Sequence, residues 1–271
     1  MANSLTTNKG KRFVSRYFQS VSLSDVGLHR TENEDSAWAG ATILAVADGL
    51  GGHAAGEIAS SLAIRSISEL EKTSLNQRNA ETTVVETFVA INKSLAQTMK
   101  SKSELRGMGT TLTALFLGKE KLYLAHLGDS RAYVIREGKI TQLTKDHTVV
   151  QELLDQGRIS PDEIDGHPQK SFITKALMGA DQNERPDFIE VEQHDGDIYL
   201  LCTDGLVGVV EEKKIVKSIT AHGVSEAALS ELKDLTYKKG APDNLTIIVA
   251  TLSSKKSATP GFVGAVQGGA K

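Results

Sequence analysis

The chain has 271 residues, 39% hydrophobic and 24% charged, which is typical of a globular protein that buries a full core. Its formal net charge of -3 at pH 7 argues against binding to a nucleic-acid backbone as the main activity. No apolar run approaches the length of a membrane span, and the single Cys202 excludes an intramolecular disulfide and suits a reducing cytoplasm.

Residues 1–16 are basic and lack the apolar core of a signal peptide, so we expect a flexible leader there. Tyr17 to Val26 alternates loosely between apolar and polar residues, which predicts a strand. RTENEDS precedes another short strand candidate. Ile43 to Ala47 is a short continuous apolar run, which predicts a strand buried on both faces.

From Gly56 the apolar residues recur with helical rather than strand spacing, and two amphipathic helices are predicted. Both stripes are interpreted as core faces without chemistry. The first stripe is Ala59, Leu62, Ala63, Ile67 and Leu70, and the second is Val84, Phe88, Ile91 and Leu95.

Strands return in the segments GTTLTALFLG, KLYLAHLGDS and RAYVIREGKITQLT, the last with a hairpin turn at Glu137-Gly138. Residues 145–176 are polar and read as a surface excursion with one short helical pattern, Val149 to Leu154. IYLLCTDGL predicts a further apolar strand that ends in Asp-Gly.

The last third of the domain is predicted to contain two helices, Glu211 to Thr220 and Ser225 to Tyr237, the second N-capped by Ser225. DNLTIIVATLS then forms a final strand. We expect residues 17–252 to form one α+β domain with strands layered under helices, and residues 253–271, rich in Ser, Gly and Ala, to be a disordered tail.

Carboxylates recur at the tips of the apolar strands. They are Asp48, Asp129, Asp204 and Asp243, with Glu34 and Asp35 just before a further strand candidate. A single Asp-Gly is most often a turn, but several strand-end carboxylates in one sheet core repel each other unless a cation lies between them. Oxygen ligands without a Cys/His cluster indicate magnesium or manganese, and two such ions are a known means of activating water against a phosphoryl group.

The motifs RTENEDS, ADGLGGHAAGE, GMGTT, LGDSRAY, LLCTDGL and PDNLT, in this order, closely resemble the bacterial form of the PP2C-type (PPM) metal-dependent Ser/Thr protein phosphatases. The resemblance covers roughly residues 17–252. It implies two central antiparallel β-sheets sandwiched between helix pairs, and hydrolysis of phosphoserine or phosphothreonine esters by a metal-activated water at a binuclear Mn or Mg centre.

Carried over by position, the resemblance implies that Asp48 bridges the two core ions and that Gly49 donates its backbone carbonyl. Asp204 and Asp243 would complete the first ion, while Glu34 and Asp35 would hold waters of the second. Glycine suits this place because it lets the main chain approach an ion without an intervening side chain.

The resemblance also implies a third, weaker ion and a flap. Asp129 matches the residue that binds the third ion, and Ser171, in a flap of about residues 145–176, can join it. Arg30 matches the family's phosphate-binding arginine, and a guanidinium fork suits a phosphate dianion. The family's presumed general-acid histidine cannot be aligned here, and His53 is the nearest candidate, so either His53 or a metal-bound water protonates the leaving oxygen.

The expected partners are phosphoserine and phosphothreonine proteins modified by a cognate kinase, with no nucleic acid or membrane and with the chain as a cytoplasmic monomer. The alternative is a pseudophosphatase that binds phosphoproteins, although every metal carboxylate is present. A dinucleotide fingerprint at residues 49–54 leaves the four strand-end aspartates unexplained, and Cys202 has Gly208 where a cysteine phosphatase needs arginine.

Overall fold

Two antiparallel sheets face each other in the computed structural model, which describes residues 16–51, 55–119, 121–179, 184–256 and 260–268. One sheet has five strands and the other six, so the predicted antiparallel α+β class is confirmed. A third sheet consists of two short strands.

The strands are numbered along the chain. The five-stranded sheet has the spatial order β1 (Tyr17–Asp25), β12 (Leu245–Ser253), β11 (Ile198–Cys202), β8 (Arg131–Arg136) and β9 (Lys139–Gln142). The six-stranded sheet has the order β10 (Asp187–Val191), β7 (Leu122–Leu127), β6 (Leu112–Leu117), β3 (Ile43–Ala47), β2 (Ser36–Ala39) and β13 (Gly261–Gly264). The small pairing joins β4 (Gly49–Leu50) to β5 (Gly109–Thr110).

Helices α1 (Gly56–Ser68) and α2 (Ala80–Ser101) pack on the outer face of the six-stranded sheet, and α5 (Glu212–His222) and α6 (Glu226–Lys238) pack on that of the five-stranded sheet. The two shorter helices are α3 (Val149–Asp155) and α4 (Asp204–Val207). The predicted N-cap of α6 is confirmed, because the Ser225 hydroxyl accepts a hydrogen bond from Ala228 N at 3.4 Å. Within the described chain, no helix is both long and apolar enough to cross a membrane.

The core has three layers, and β3 shows how one strand serves two of them. Leu44 and Val46 pack between the two sheets, whereas Ile43 and Ala45 pack against α1 and α2. All five residues of β3 are buried, as its continuous apolar sequence predicts. A third cluster packs α5 and α6 on the five-stranded sheet, which completes a helix–sheet–sheet–helix sandwich.

The expectation of a disordered tail is wrong for the described residues 260–268. β13 pairs antiparallel with β2, with Gly261 opposite Ala39 and Gly264 opposite Ser36. Val266 is only 1% exposed and belongs to the core beneath α1. Two of the four residues of β13 are glycine, so its local sequence carries little strand signal, and the strand is stabilised by tertiary pairing.

Leu232 tests the packing of α6 on the five-stranded sheet. Its side chain is fully buried, so Leu232→Ala should leave a cavity and lower the free energy of unfolding by about 2–5 kcal/mol. Leu235→Ala, on the same helix and only partly buried, should cost clearly less. Urea unfolding of both variants measures the difference, and equal losses would contradict this packing.

Candidate metal centre

The antiparallel register brings the strand-end aspartates of each sheet to one edge. In the six-stranded sheet β3 and β7 flank β6, and both end opposite its start, so Asp48 and Asp129 follow strands that end at the same edge. In the five-stranded sheet the end of β11 lies opposite the start of β12, which places Asp204 near Asp243. The structure therefore brings together the four aspartates predicted as metal ligands.

Two threonines hold the backbone of Asp48. The Asp48 N–H donates to Thr111 Oγ1 at 2.9 Å, and its carbonyl oxygen accepts from Thr110 Oγ1 at 2.8 Å and from Thr111 N at 2.9 Å. Both threonines come from GMGTT, a motif that supported the resemblance but received no residue-level role. Their hydroxyls fix the direction in which the Asp48 side chain leaves the strand.

Gly49 lies against the backbone at the start of α1. A Cβ atom at Gly49 would lie 2.4 Å from the carbonyl carbon and oxygen of Gly56 and 2.7 Å from the Glu34 carbonyl oxygen. Only glycine allows this approach. The role of the Gly49 carbonyl as a ligand stays a prediction.

Glu34 and Asp35 are held by residues from the opposite sheet. Asn244 accepts the Glu34 N–H at 2.8 Å and donates to the carbonyl oxygens of Val26 and Glu32, at 3.0 and 2.9 Å. The Thr203 hydroxyl donates to Asp35 Oδ2 at 2.7 Å. The Asp35 carboxylate is fully buried, so it lies beneath the acidic edge rather than at its surface.

Burial and mutual repulsion raise the pKa of the clustered carboxyl groups. Burial, followed by the charges of Asp35 and Asp204, raises the pKa of Asp48 well above its usual range. Burial, followed by the Asp204 charge, raises the pKa of Asp129 to about 8. Burial also raises the pKa of Asp35 to about 7, opposed by the Thr203 hydrogen bond, and burial with the Asp243 charge raises that of Asp204.

The donor set fits a hard cation. One carboxylate oxygen of Asp129 and one of Asp204 are buried without a hydrogen-bond partner among the described residues. A buried oxygen of this kind is costly unless it is protonated or bound to a cation. No three acidic, histidine or cysteine side chains in the described ranges form a ready metal cage by themselves, and the predicted coordination accordingly includes a backbone carbonyl and water.

Arg30 lies at the rim of the acidic cluster. Its Nη2 donates to Asp243 Oδ2 at 2.7 Å, and the Arg30 side chain is 50% exposed. This hydrogen bond, together with the charges of Asp243, Glu34 and Asp48, raises the pKa of the guanidinium. The position beside the carboxylates and the solvent access agree with the predicted binding of a phosphate dianion.

Both ends of the predicted flap are tied to loops of the acidic edge. His147 N donates to Gly128 O at 2.8 Å, next to Asp129, and Thr110 and Leu177 exchange two backbone hydrogen bonds of 2.9 Å. Ser171 is exposed in a turn of the flap, and no hydrogen bond among the described residues joins it to Asp129. Its predicted role at a third ion stays a prediction.

His53, the candidate general acid, lies outside the described residues. His147, whose backbone N–H donates to Gly128 O beside Asp129, and His126 have structural surroundings. The rings of His126 and His147 stack at 4.9 Å, and burial, followed by the effect of His147, lowers the pKa of His126 to about 4. His126 is therefore a neutral core residue, as its place in an apolar strand indicates.

The chain belongs to the protein phosphatase 2C family. A family model described as "Protein phosphatase 2C" matches residues 30–235. The serine/threonine protein phosphatase PstP of Mycobacterium tuberculosis (strain H37Rv) is 43% identical over 230 residues, which are 84% of this chain and 43% of that protein. This chain therefore spans less than half the length of PstP. The serine/threonine phosphatase stp of Listeria monocytogenes (strain EGD-e) is 34% identical over 83% of this chain and 92% of that protein.

Solved structures agree with this assignment. The crystal structure of the Mycobacterium tuberculosis phosphatase PstP/Ppp superposes with a TM-score of 0.82 at 41% identity, over 86% of this chain and 98% of that one. A structure of the PstP catalytic domain in complex with two manganese ions gives a TM-score of 0.80 at 40% identity, over 88% and 99% of the two chains. The fold implied by the resemblance is thereby confirmed.

The raised pKa values predict how the stability of the metal-free protein depends on pH. The folded pKa of about 8 for Asp129 and about 7 for Asp35 lies above the unfolded value of about 3.9. Between the unfolded value and the folded pKa, the folded chain holds protons on these groups that the unfolded chain has already lost, so stability falls as the pH rises through this range and levels off above about pH 8. Unfolded histidines, with a pKa of about 6.5, titrate in the lower part of the same range, so a comparison with a variant is needed to isolate the aspartate.

Melting temperatures measured in chelator from about pH 6.5 to 8.5 check this. The melting temperature of the wild type should fall, that of Asp129→Asn should fall less, and that of Asp155→Asn should follow the wild type, because the pKa of this exposed carboxyl is lowered. Parallel curves for wild type and Asp129→Asn would show that Asp129 carries no raised pKa.

Proposed function

We propose that this chain is a metal-dependent protein-serine/threonine phosphatase that hydrolyses phosphoserine and phosphothreonine esters at a binuclear manganese or magnesium centre. The observation that carries the proposal is the gathering of Asp48, Asp129, Asp204 and Asp243 at one edge, where Asp129 and Asp204 each have a buried oxygen without a partner among the described residues. Membership of the protein phosphatase 2C family and the two manganese ions of the related PstP catalytic domain support it.

In this proposal Asp48, Asp204, Asp243 and the Gly49 carbonyl hold the ions directly, while Glu34 and Asp35 orient water around the second ion. When bound, the ions act as Lewis acids that activate a water molecule and neutralise charge on the phosphoryl group. Arg30, half-exposed at the rim, binds the phosphate of the incoming side chain. His53 remains the candidate for protonating the leaving oxygen.

We further propose that the substrates are phosphoproteins made by a cognate Ser/Thr kinase, and that the chain acts as a cytoplasmic monomer. The names of the relatives, which are serine/threonine phosphatases, support the substrate class. The buried Cys202, whose pKa burial raises to about 12, is protected from oxidation and is compatible with a reducing compartment.

The assay that tests the proposal is dephosphorylation of a phosphothreonine peptide with manganese, with magnesium and with chelator. We expect turnover with either metal and none in chelator. Manganese binding together with peptide binding but without turnover would instead favour the phosphoprotein-binding pseudophosphatase.

The direct ligands are tested by Asp48→Asn, Asp204→Asn and Asp243→Asn. Each amide keeps the shape of the side chain but weakens ligation, so activity should fall by at least the roughly 10–100-fold that loss of outer-shell partners causes. Circular dichroism should show an unchanged fold. Wild-type turnover by any of the three at saturating manganese would remove that residue from the ligand set.

Arg30→Ala should raise KM for phosphopeptides by about tenfold or more with a smaller change in kcat, because a hydrogen bond to a charged group is worth about 1.5–3 kcal/mol. Arg30→Lys keeps the positive charge but lacks the planar guanidinium, so its KM should lie between those of wild type and Arg30→Ala. Since Arg30 also pairs with Asp243, the kinetics need saturating manganese. A large loss of kcat at unchanged KM would show that Arg30 does not bind phosphate in the ground state.

Asp129→Ala and Ser171→Ala test the third ion. Asp129→Ala should keep two bound ions but lower turnover, whereas Ser171→Ala should do much less, because water can replace a neutral hydroxyl ligand. Metal counting during a manganese titration, together with activity, compares both variants with wild type. Equal activity of Asp129→Ala and wild type throughout the titration would exclude the third ion from the mechanism.

A further inference from the structure

The C-terminal segment, defined here as residues 260–268, lies directly against strand β2 and against Asp35, the residue just before it. β13 pairs with β2, and Gly264 stands opposite Ser36, the residue that follows Asp35. A short 3₁₀ turn, Ala265–Gln267, then folds over the start of β2. The family match ends at residue 235, so this segment lies outside the part of the chain matched by the family model.

Hydrogen bonds lead from the C-terminal segment to the backbone of Asp35 and of Glu34, the two residues predicted to hold water at the second ion. Ala265 N donates to Asp35 O at 2.7 Å, and Val266 N donates to Ser36 Oγ at 3.1 Å. Ser36 Oγ lies 2.9 Å from Ser60 Oγ, and Ser60 Oγ donates to Glu34 O at 2.6 Å. The Ser60 hydroxyl donates its hydrogen to Glu34 O, so the Ser36 hydroxyl donates to Ser60. Every group in this series of hydrogen bonds therefore has a partner.

The segment is anchored away from the acidic edge. The centroid of the Phe262 ring lies 4.5 Å from that of the Trp38 ring. The Arg65 guanidinium lies 5.5 Å from the Phe262 centroid, above the ring face. Arg65 Nη2 also donates to Val266 O at 2.6 Å, and the Val266 side chain is buried under α1. Apolar packing and a charged hydrogen bond thus hold the segment in place without any contribution from a metal ion.

Gly264 is the point at which the close approach depends on a single residue type. Its φ of 82° and ψ of -153° belong to a region that essentially only glycine adopts. A Cβ atom there would lie 2.3 Å from Asp35 O, the oxygen that accepts the Ala265 hydrogen bond. Gly261, on the same strand, differs, because its Cβ would meet no atom within 4 Å.

We propose that residues 260–268 are a positioning element of the metal centre, which holds Glu34 and Asp35 at the geometry that the second ion needs. The inference rests on the proposed function, because it takes Glu34 and Asp35 as the residues around that ion. Without the segment, β2 becomes an edge strand, and Asp35 O and the Ser36 hydroxyl lose their hydrogen-bond donors. The positioning residues are Gly264, Ala265 and Val266, which act through the backbone of Asp35 and through Ser36.

The test compares Gly264→Ala with the matched control Gly261→Ala in the full chain. We expect Gly264→Ala to speed amide hydrogen exchange at residue 265 and to weaken one of the two core manganese sites by roughly 10–100-fold, the usual effect of losing an outer-shell partner. The other core site should keep its affinity. Gly261→Ala should match wild type in exchange and in calorimetric manganese titration.

Leu232→Ala separates positioning from general destabilisation. This variant destabilises the chain from the opposite face of the sandwich and should leave both manganese affinities unchanged. If Leu232→Ala weakens manganese binding as much as Gly264→Ala does, the effect of the segment is only structural and the proposal is wrong. A Gly264→Ala protein with fast exchange at residue 265 but wild-type manganese affinities would also overturn it.

A second variant covers the case in which alanine is tolerated at position 264 and exchange there stays slow. Val266→Asp would bury a charge in the core under α1, so it should detach the segment. Unchanged manganese affinities in Val266→Asp would then overturn the proposal. If wild type and Gly261→Ala themselves bind no manganese, the proposed metal centre is wrong, and that failure is distinct from failure of the positioning role.

Discussion

Repulsion between carboxylates at one edge of the two sheets is the constraint on which the rest of this structure depends. Asp48, Asp129 and Asp204 each have a pKa raised by burial and by neighbouring negative charge. Protonation or a bound cation offsets this repulsion, and a backbone fixed beside the carboxylates keeps them together. The stabilising interactions near the edge are therefore directed at the backbone beside the carboxylates.

Hydroxyl and amide groups supply that fixation from several parts of the chain. Thr110 and Thr111 hold Asp48, and Asn244 holds Glu34 from across the sandwich. The C-terminal segment reaches Asp35 and Ser36 from the other side of β2. The arrangement resembles the outer shell of a metal site, in which neutral groups orient charged ligands.

Periodicity was enough to predict elements whose pattern is strong, such as β3, α1 and α6. Periodicity failed for β10, a half-exposed edge strand, and for β13. Half of β13 is glycine, so this strand forms only because the backbone of β2 is available to pair with it. The gathering of the four strand-end aspartates was predictable because carboxylates recur at the tips of several apolar strands, although a single one is most often a turn. Their roles as metal ligands came from the family resemblance and stay a prediction. Thr111 and Asn244 were not assigned roles, because a threonine or asparagine beside a strand most often serves a turn, and only the register shows which backbone it holds.

The central claim is that the gathered aspartates hold two metal ions. Anomalous diffraction at the manganese edge, from crystals soaked in manganese, tests it most directly. Two anomalous peaks should lie within about 2.0–2.3 Å of carboxylate oxygens of Asp48, Asp204 and Asp243, the range expected for small divalent ions. Crystals without anomalous density between these residues, or with manganese bound only elsewhere, would contradict it.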